Sequence, residues 1–128
     1  MNEFFELRIY KVFPGKMKQW IELMENIIIP FQVSKGMVIH GSFKENSFDR
    51  FFLRDNERQM EKLNNRNLYI WIRRFESLEH KEDLYKKVYE SEKWIKDIGP
   101  KVNKLIDRNT IVVHNITSTS LSIMKWLK

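Results

Sequence analysis

The 128-residue sequence predicts an α+β fold in which the elements follow the order βαββαβ. Three observations carry that prediction. Phe5-Glu6-Leu7-Arg8-Ile9-Tyr10 and Leu68-Tyr69-Ile70-Trp71-Ile72-Arg73 alternate with the two-residue period of strands. Met17, Trp20, Ile21, Met24, Ile27, Ile28 and Phe31 recur at the spacing of one helical stripe. A second helical region after Ser77 is split near Gly99-Pro100 and runs on into a last strand-like segment.

Taken in order, residues 4 to 12 form the first strand, and Pro14-Gly15-Lys16 turns into a helix over residues 15 to 34. Pro30 kinks that helix or starts its last turn, and Gly36 ends it in the C-cap role. Met37 to Phe43 is the second strand. Residues 46 to 67 are an insertion, bounded by Glu45-Asn46-Ser47 and Asn64-Asn65-Arg66-Asn67. It is either a hairpin arm or a loop with a short helix near 55 to 63, and its Phe48, Phe51, Phe52 and Leu53 call for something to pack on. Leu68 to Glu76 is the third strand, and Ser77 caps a helix whose stripe is Leu84, Tyr85, Val88 and Tyr89. Ser91 opens a shorter helix with Trp94, Ile95 and Ile98, and Val102, Leu105 and Ile106 continue a stripe past Gly99-Pro100. Residues 110 to 117 are the fourth strand. The expected organisation is one ferredoxin-like domain over residues 1 to 120 and an apolar tail at 121 to 128. The plan has an antiparallel sheet with helices on one face. The other face then needs a cover, and the simplest is a second copy of the same sheet.

Composition narrows the function classes. No cysteine is present, which removes disulfides, thiolate metal sites and cysteine nucleophiles. The N-terminal residues lack the basic-then-apolar pattern of a secretory signal, so a cytoplasmic location is expected. The run Ile27-Ile28-Ile29-Pro30-Phe31 is too short to span a bilayer. The formal charge is +6, but lysines and arginines are mixed with acidic residues throughout, so a nucleic-acid partner is not expected. No glycine-rich nucleotide motif and no metal-ligand spacing occurs, and no cofactor is expected.

Several motifs also carry a resemblance. Phe5 to Tyr10 with Pro14-Gly15-Lys16, then Gly41-Ser42-Phe43, are similar to the opening of NIPSNAP-family domains. More specific are Tyr69-Ile70-Trp71-Ile72-Arg73-Arg74-Phe75-Glu76-Ser77 and Val88-Tyr89-Glu90-Ser91-Glu92-Lys93-Trp94. The resemblance covers residues 4 to 119. It implies a homodimeric α+β barrel, two ferredoxin-like subunits joined through their sheets, in a superfamily that includes antibiotic-biosynthesis-type monooxygenases and haem-degrading enzymes. The insertion and the tail depart from the family pattern.

Glu6, Arg8, Tyr10, Tyr69, Trp71 and Arg73 alternate on the polar sides of two strands and are expected to face away from the helices, into the barrel. As a pocket, this set gives Arg8, Tyr10, Tyr69, Trp71 and Arg73 as ligand-binding residues and Glu6 as a base. As structure, Glu6 simply neutralises Arg8 or Arg73. His40 is the second candidate base if it faces the barrel with Ser42; otherwise it is an interior or interface histidine. His114 reads as an ordinary strand histidine and His80 as a solvent-exposed one. The functional expectation is a small organic ligand in the barrel pocket, with monooxygenase-like chemistry as its enzymatic form. The rival is a non-enzymatic structural or protein-interaction module.

Overall fold

The computed structural model describes residues 2–46, 48, 50–61 and 67–125. Strand β1 (Phe4–Val12) leads into α1 (Met17–Leu23), which runs through a π turn at Met24–Ile28 into α2 (Ile29–Ser34). Gly36, at φ 107°, turns the chain in the left-handed region that suits a residue without Cβ. Strand β2 (Val38–Lys44) is followed by a separate hairpin of β3 (Arg50–Arg54) and β4 (Glu57–Glu61). Its turn residues, Asp55 and Asn56, both have positive φ, as a tight two-residue hairpin loop demands. Then come β5 (Leu68–Phe75), α3 (Leu78–Tyr89), a second π turn at Trp94–Ile98, α4 (Gly99–Asn103) and β6 (Ile106–Ile116). The Ser77 hydroxyl caps α3 by accepting the His80 N–H at 3.0 Å.

The main sheet is antiparallel, in the order β2-β5-β1-β6. The strands with the two polar stripes are therefore central neighbours, with Glu6 opposite Arg73, Arg8 opposite Trp71 and Tyr10 opposite Tyr69. Within β5 burial alternates strictly, and Tyr69, Trp71, Arg73 and Phe75 are the buried members.

One expectation is reversed. Glu6, Arg8, Tyr10, Tyr69, Trp71 and Arg73 point toward the helices, not away from them. Tyr10 and Tyr69 each pack edge-on against Trp20 of α1, with centroids 5.8 Å apart. Arg73 reaches Gln32 of α2 and both tyrosines of α3. The stripe tolerates this burial because the helices bring their own polar groups down to meet it. The opposite face carries Leu7, Ile9, Ile70 and Ile72, all only part-buried, and exposed Phe43, Val112 and Ile116.

The tail is not helical where described: residues 121–125 make turns, and Leu121 and Ile123 are almost wholly exposed. Residues 126–128 of the expected tail and residues 62–66 of the insertion lie outside the described residues. Among the described residues no helix is long and apolar enough to cross a membrane.

Candidate functional site

Between the helix-facing side of the sheet and the helices lies a cavity of about 490 Å³. Arg8, Tyr10 and Trp71 form its floor from the two central strands. Trp20, Met24 and Ile28 come from the first helix, Tyr85 and Tyr89 from α3, and Trp94, Ile95, Gly99 and Pro100 from the second π turn and α4. Arg108 and Ile111 of β6 complete the wall.

Both π turns border this cavity. In each, the residue before or at the helix restart donates its N–H five residues back: Ile29 to the Met24 carbonyl and Gly99 to the Trp94 carbonyl. In each, the next residue is proline, Pro30 or Pro100. Proline has no N–H to give and its ring collides with the carbonyl four residues back, so the helix widens there instead of breaking. The kinks expected at both prolines take this form.

Behind the floor is a closed polar cluster around Arg73, which is fully buried. Its Nε and Nη2 donate to Glu6 Oε1 at 3.0 and 2.6 Å, and Nη1 donates to Gln32 Oε1 and the Tyr89 hydroxyl at 2.8 Å each. Nη2 also reaches the Tyr85 hydroxyl at 3.2 Å. Glu6 Oε2 accepts from the Tyr85 hydroxyl and lies 2.7 Å from Lys81 Nζ. Burial alone pushes the Glu6 carboxyl up, but Arg73 and then Arg8 overrule it and hold its pKa at about 2. Burial works equally against the Arg73 charge, and Tyr89 and Glu6 outweigh it, so that pKa is raised.

Arg8 is differently placed. Among the described residues, its side chain makes one hydrogen bond, a long one of 3.3 Å from Nη1 to the Tyr89 hydroxyl. Its Nε is buried without a hydrogen-bond partner, 3.8 Å from Glu6 Oε1. Trp20 Nε1 is a second buried donor with no acceptor. Tyr10 accepts from Trp71 Nε1 at 3.0 Å, and burial pushes its phenol up to about 12, so it stays protonated.

Of the residues singled out in the sequence, Arg8, Tyr10 and Trp71 line the cavity. Tyr69 lies beside it, its hydroxyl bonded to Ser42, and burial pushes its phenol up to about 12. Glu6 and Arg73 lie in the cluster behind. His40 does not join them. A register shift between Ile39 and Gly41 makes it a bulge residue, and its ring stands against Phe5 on the outer face of the sheet. It is exposed, and what burial it has, with Arg74 nearby, lowers its pKa. His114 also lies on the outer face, while His80 Nδ1 accepts the Glu76 N–H at 3.1 Å. No group of His, Asp or Glu among the described residues can hold a metal ion. Sequence reasoning missed Trp20, Tyr85, Tyr89, Trp94 and Arg108 as wall residues, and Gln32 as a partner of Arg73. The available signal was two hydroxyls, Tyr85 and Tyr89, one helical turn apart within an otherwise apolar stripe.

No family sequence model matches the chain, and no curated protein matches it in sequence. Solved structures do match its fold. A NIPSNAP family protein of unknown function from Agrobacterium tumefaciens superposes with a TM-score of 0.74 at 18% identity, over 95% of this chain and 93% of that one. An uncharacterised NIPSNAP-like domain protein from Burkholderia xenovorans gives 0.73 at 16% identity, over 94% and 89%. A further NIPSNAP family protein from Agrobacterium tumefaciens gives 0.68 at 20% identity, over 97% and 100%. The chain thus has the NIPSNAP fold along nearly its whole length, as the sequence motifs implied.

Proposed function

We propose that this protein is a cytoplasmic homodimer that binds a small organic molecule in the cavity between its sheet and its helices. The observation that carries this reading is a space of about 490 Å³ whose wall includes Arg8, a guanidinium with one long hydrogen bond among the described residues, and Trp20, whose indole N–H has none there. That volume is in the range of small-molecule sites, roughly 300–1,000 Å³. A core shaped only for stability closes such gaps and pairs such donors.

Monooxygenase-like chemistry without a cofactor needs a base at the substrate. Glu6, with a pKa of about 2 and both oxygens engaged, is a poor base and does not line the cavity. His40 is on the wrong face. Burial pushes the Tyr10 and Tyr85 phenols up, so neither is a base. The geometry therefore favours binding over that reaction. The interaction-module reading has one specific observation in its favour. Phe51, Leu53 and Met60 share one face of the β3-β4 hairpin and are 50%, 68% and 61% exposed.

Ile95 lines the cavity yet is 59% exposed, which puts it at the mouth. Ile95→Trp should fold normally and narrow the entrance. Titration with Nile red, an uncharged dye, should show an affinity about tenfold lower than in the native protein, the equivalent of 1.4 kcal/mol. An unchanged affinity would place the dye elsewhere and remove the support for the cavity as a ligand site.

A further inference from the structure

The wall is not neutral. Arg8 and Arg108 line the cavity, and among the described residues no Asp or Glu does. Arg108 is exposed and gives one N–H to Asn103 Oδ1 at 3.1 Å, so it stands at the rim. Arg8 is inside. The carboxylate closest to it in the ion-pair network, Glu6, is already shared by Arg73 at 2.6 Å and Lys81 at 2.7 Å, against 3.8 Å for Arg8. Three cations on one carboxylate leave two positive charges in the cluster without a partner of their own. Arg73 is saturated with hydrogen bonds, so the unspent capacity belongs to Arg8. A guanidinium presents its donors as a planar fork that matches a carboxylate. Much of the rest of the cavity lining is apolar and aromatic, with Trp20, Met24, Ile28, Trp71 and Trp94 among it.

We propose that the cavity takes an organic carboxylate with an apolar body, its head group on Arg8 and its body against Trp71 and Trp94. This rests on the reading of the cavity as a ligand site. With Arg108 at the exposed rim, the one under-bonded fork inside the chamber suits the planar head group of a carboxylate, and the apolar lining suits an apolar body. Flat aromatic acids and chain-like fatty acids share the head-group chemistry and differ in the body.

The test is isothermal titration of the full chain at neutral pH with naphthoate, its uncharged isostere naphthamide, and decanoate. Naphthoate should bind at least about tenfold more tightly than naphthamide, since only the carboxylate brings an opposite charge and two acceptors to the guanidinium. Arg8→Gln should weaken naphthoate on the order of tenfold to a hundredfold and naphthamide by clearly less. Binding of decanoate in place of naphthoate, lost in Arg8→Gln, supports the assignment and selects a chain-like body. Equal affinity of acid and amide in the native protein overturns the carboxylate assignment and leaves the cavity as a neutral-ligand site. No heat from any of the three overturns both. Should Arg8→Gln fail to fold, the comparison of acid with amide on the native protein still decides.

Discussion

Glu6 and Arg73 face each other across β1 and β5, both fully buried, and the pair survives there because every lone pair and N–H finds a partner. Removing one charge leaves the other stranded. Glu6→Gln should therefore destabilise the protein by about 3–5 kcal/mol. The same residue sets an acid limit. Its carboxyl is lowered in the fold from 4.5 to about 2, so its contribution is complete above pH 4.5 and is lost as the pH falls through 2. At 1.36 kcal/mol per pKa unit the contribution is about 3 kcal/mol. Urea unfolding between pH 6 and pH 2 should show that slope in the native protein and a flatter one in Glu6→Gln; parallel curves would refute the assignment. The pairing itself was legible in the sequence as two matched stripes. Its direction was not. Charge is costly to bury, so Glu6 and Arg73 read as outward-facing, and only the polar atoms of Gln32, Tyr85 and Tyr89 reverse that reading. Those partners come from other elements, and no local pattern in β1 or β5 announces them.

The helices carry a subtler signal. Trp20, Met24, Ile28 and Gln32 are all buried, at strict four-residue intervals. In a regular α-helix each four-residue step overshoots a turn by about 40°, so the set would drift about 120° around the axis over three steps. Keeping all four on the sheet side requires an underwound segment, and the π turn at Met24–Ile28 supplies it. The sequence shows this spacing, but a polar Gln32 hides its last member, and Phe31 looks like the better core residue. The second π turn depends on close approach. A Cβ on Gly99 would lie 2.9 Å from the Trp94 carbonyl oxygen, a backbone atom that cannot swing aside. Gly99→Ala should thus cost about 1–3 kcal/mol through overpacking. Because Trp94 lines the cavity, its emission should shift with the substitution. A variant with native stability and native emission would mean that the turn is set by Pro100 alone.

For the molecule as a whole, the reversal of the two faces separates assembly from binding. A pocket inside a barrel made by two sheets, as the sequence implies, would make ligand and dimer one site. In the structure the cavity lies between the sheet and the chain's own helices, and the outer face of the sheet carries exposed Phe43, Val112 and Ile116. Ile70 stands in the middle of that face, opposite Ile9 on one side and Phe43 on the other. A sheet covered on one side only leaves such a surface to be buried by association. If the cover is a second copy, the native protein sediments at twice 15.7 kDa, and Ile70→Lys, which sets like charges against each other across the interface, sediments at 15.7 kDa. Nile red and naphthoate affinities should be the same in both species, because no residue of the outer face lines the cavity. A monomeric native protein would remove the dimer and leave the cavity untouched. A monomeric Ile70→Lys that had also lost its ligand would mean that the partner sheet holds β1 and β5 in the register on which the Arg8 floor depends.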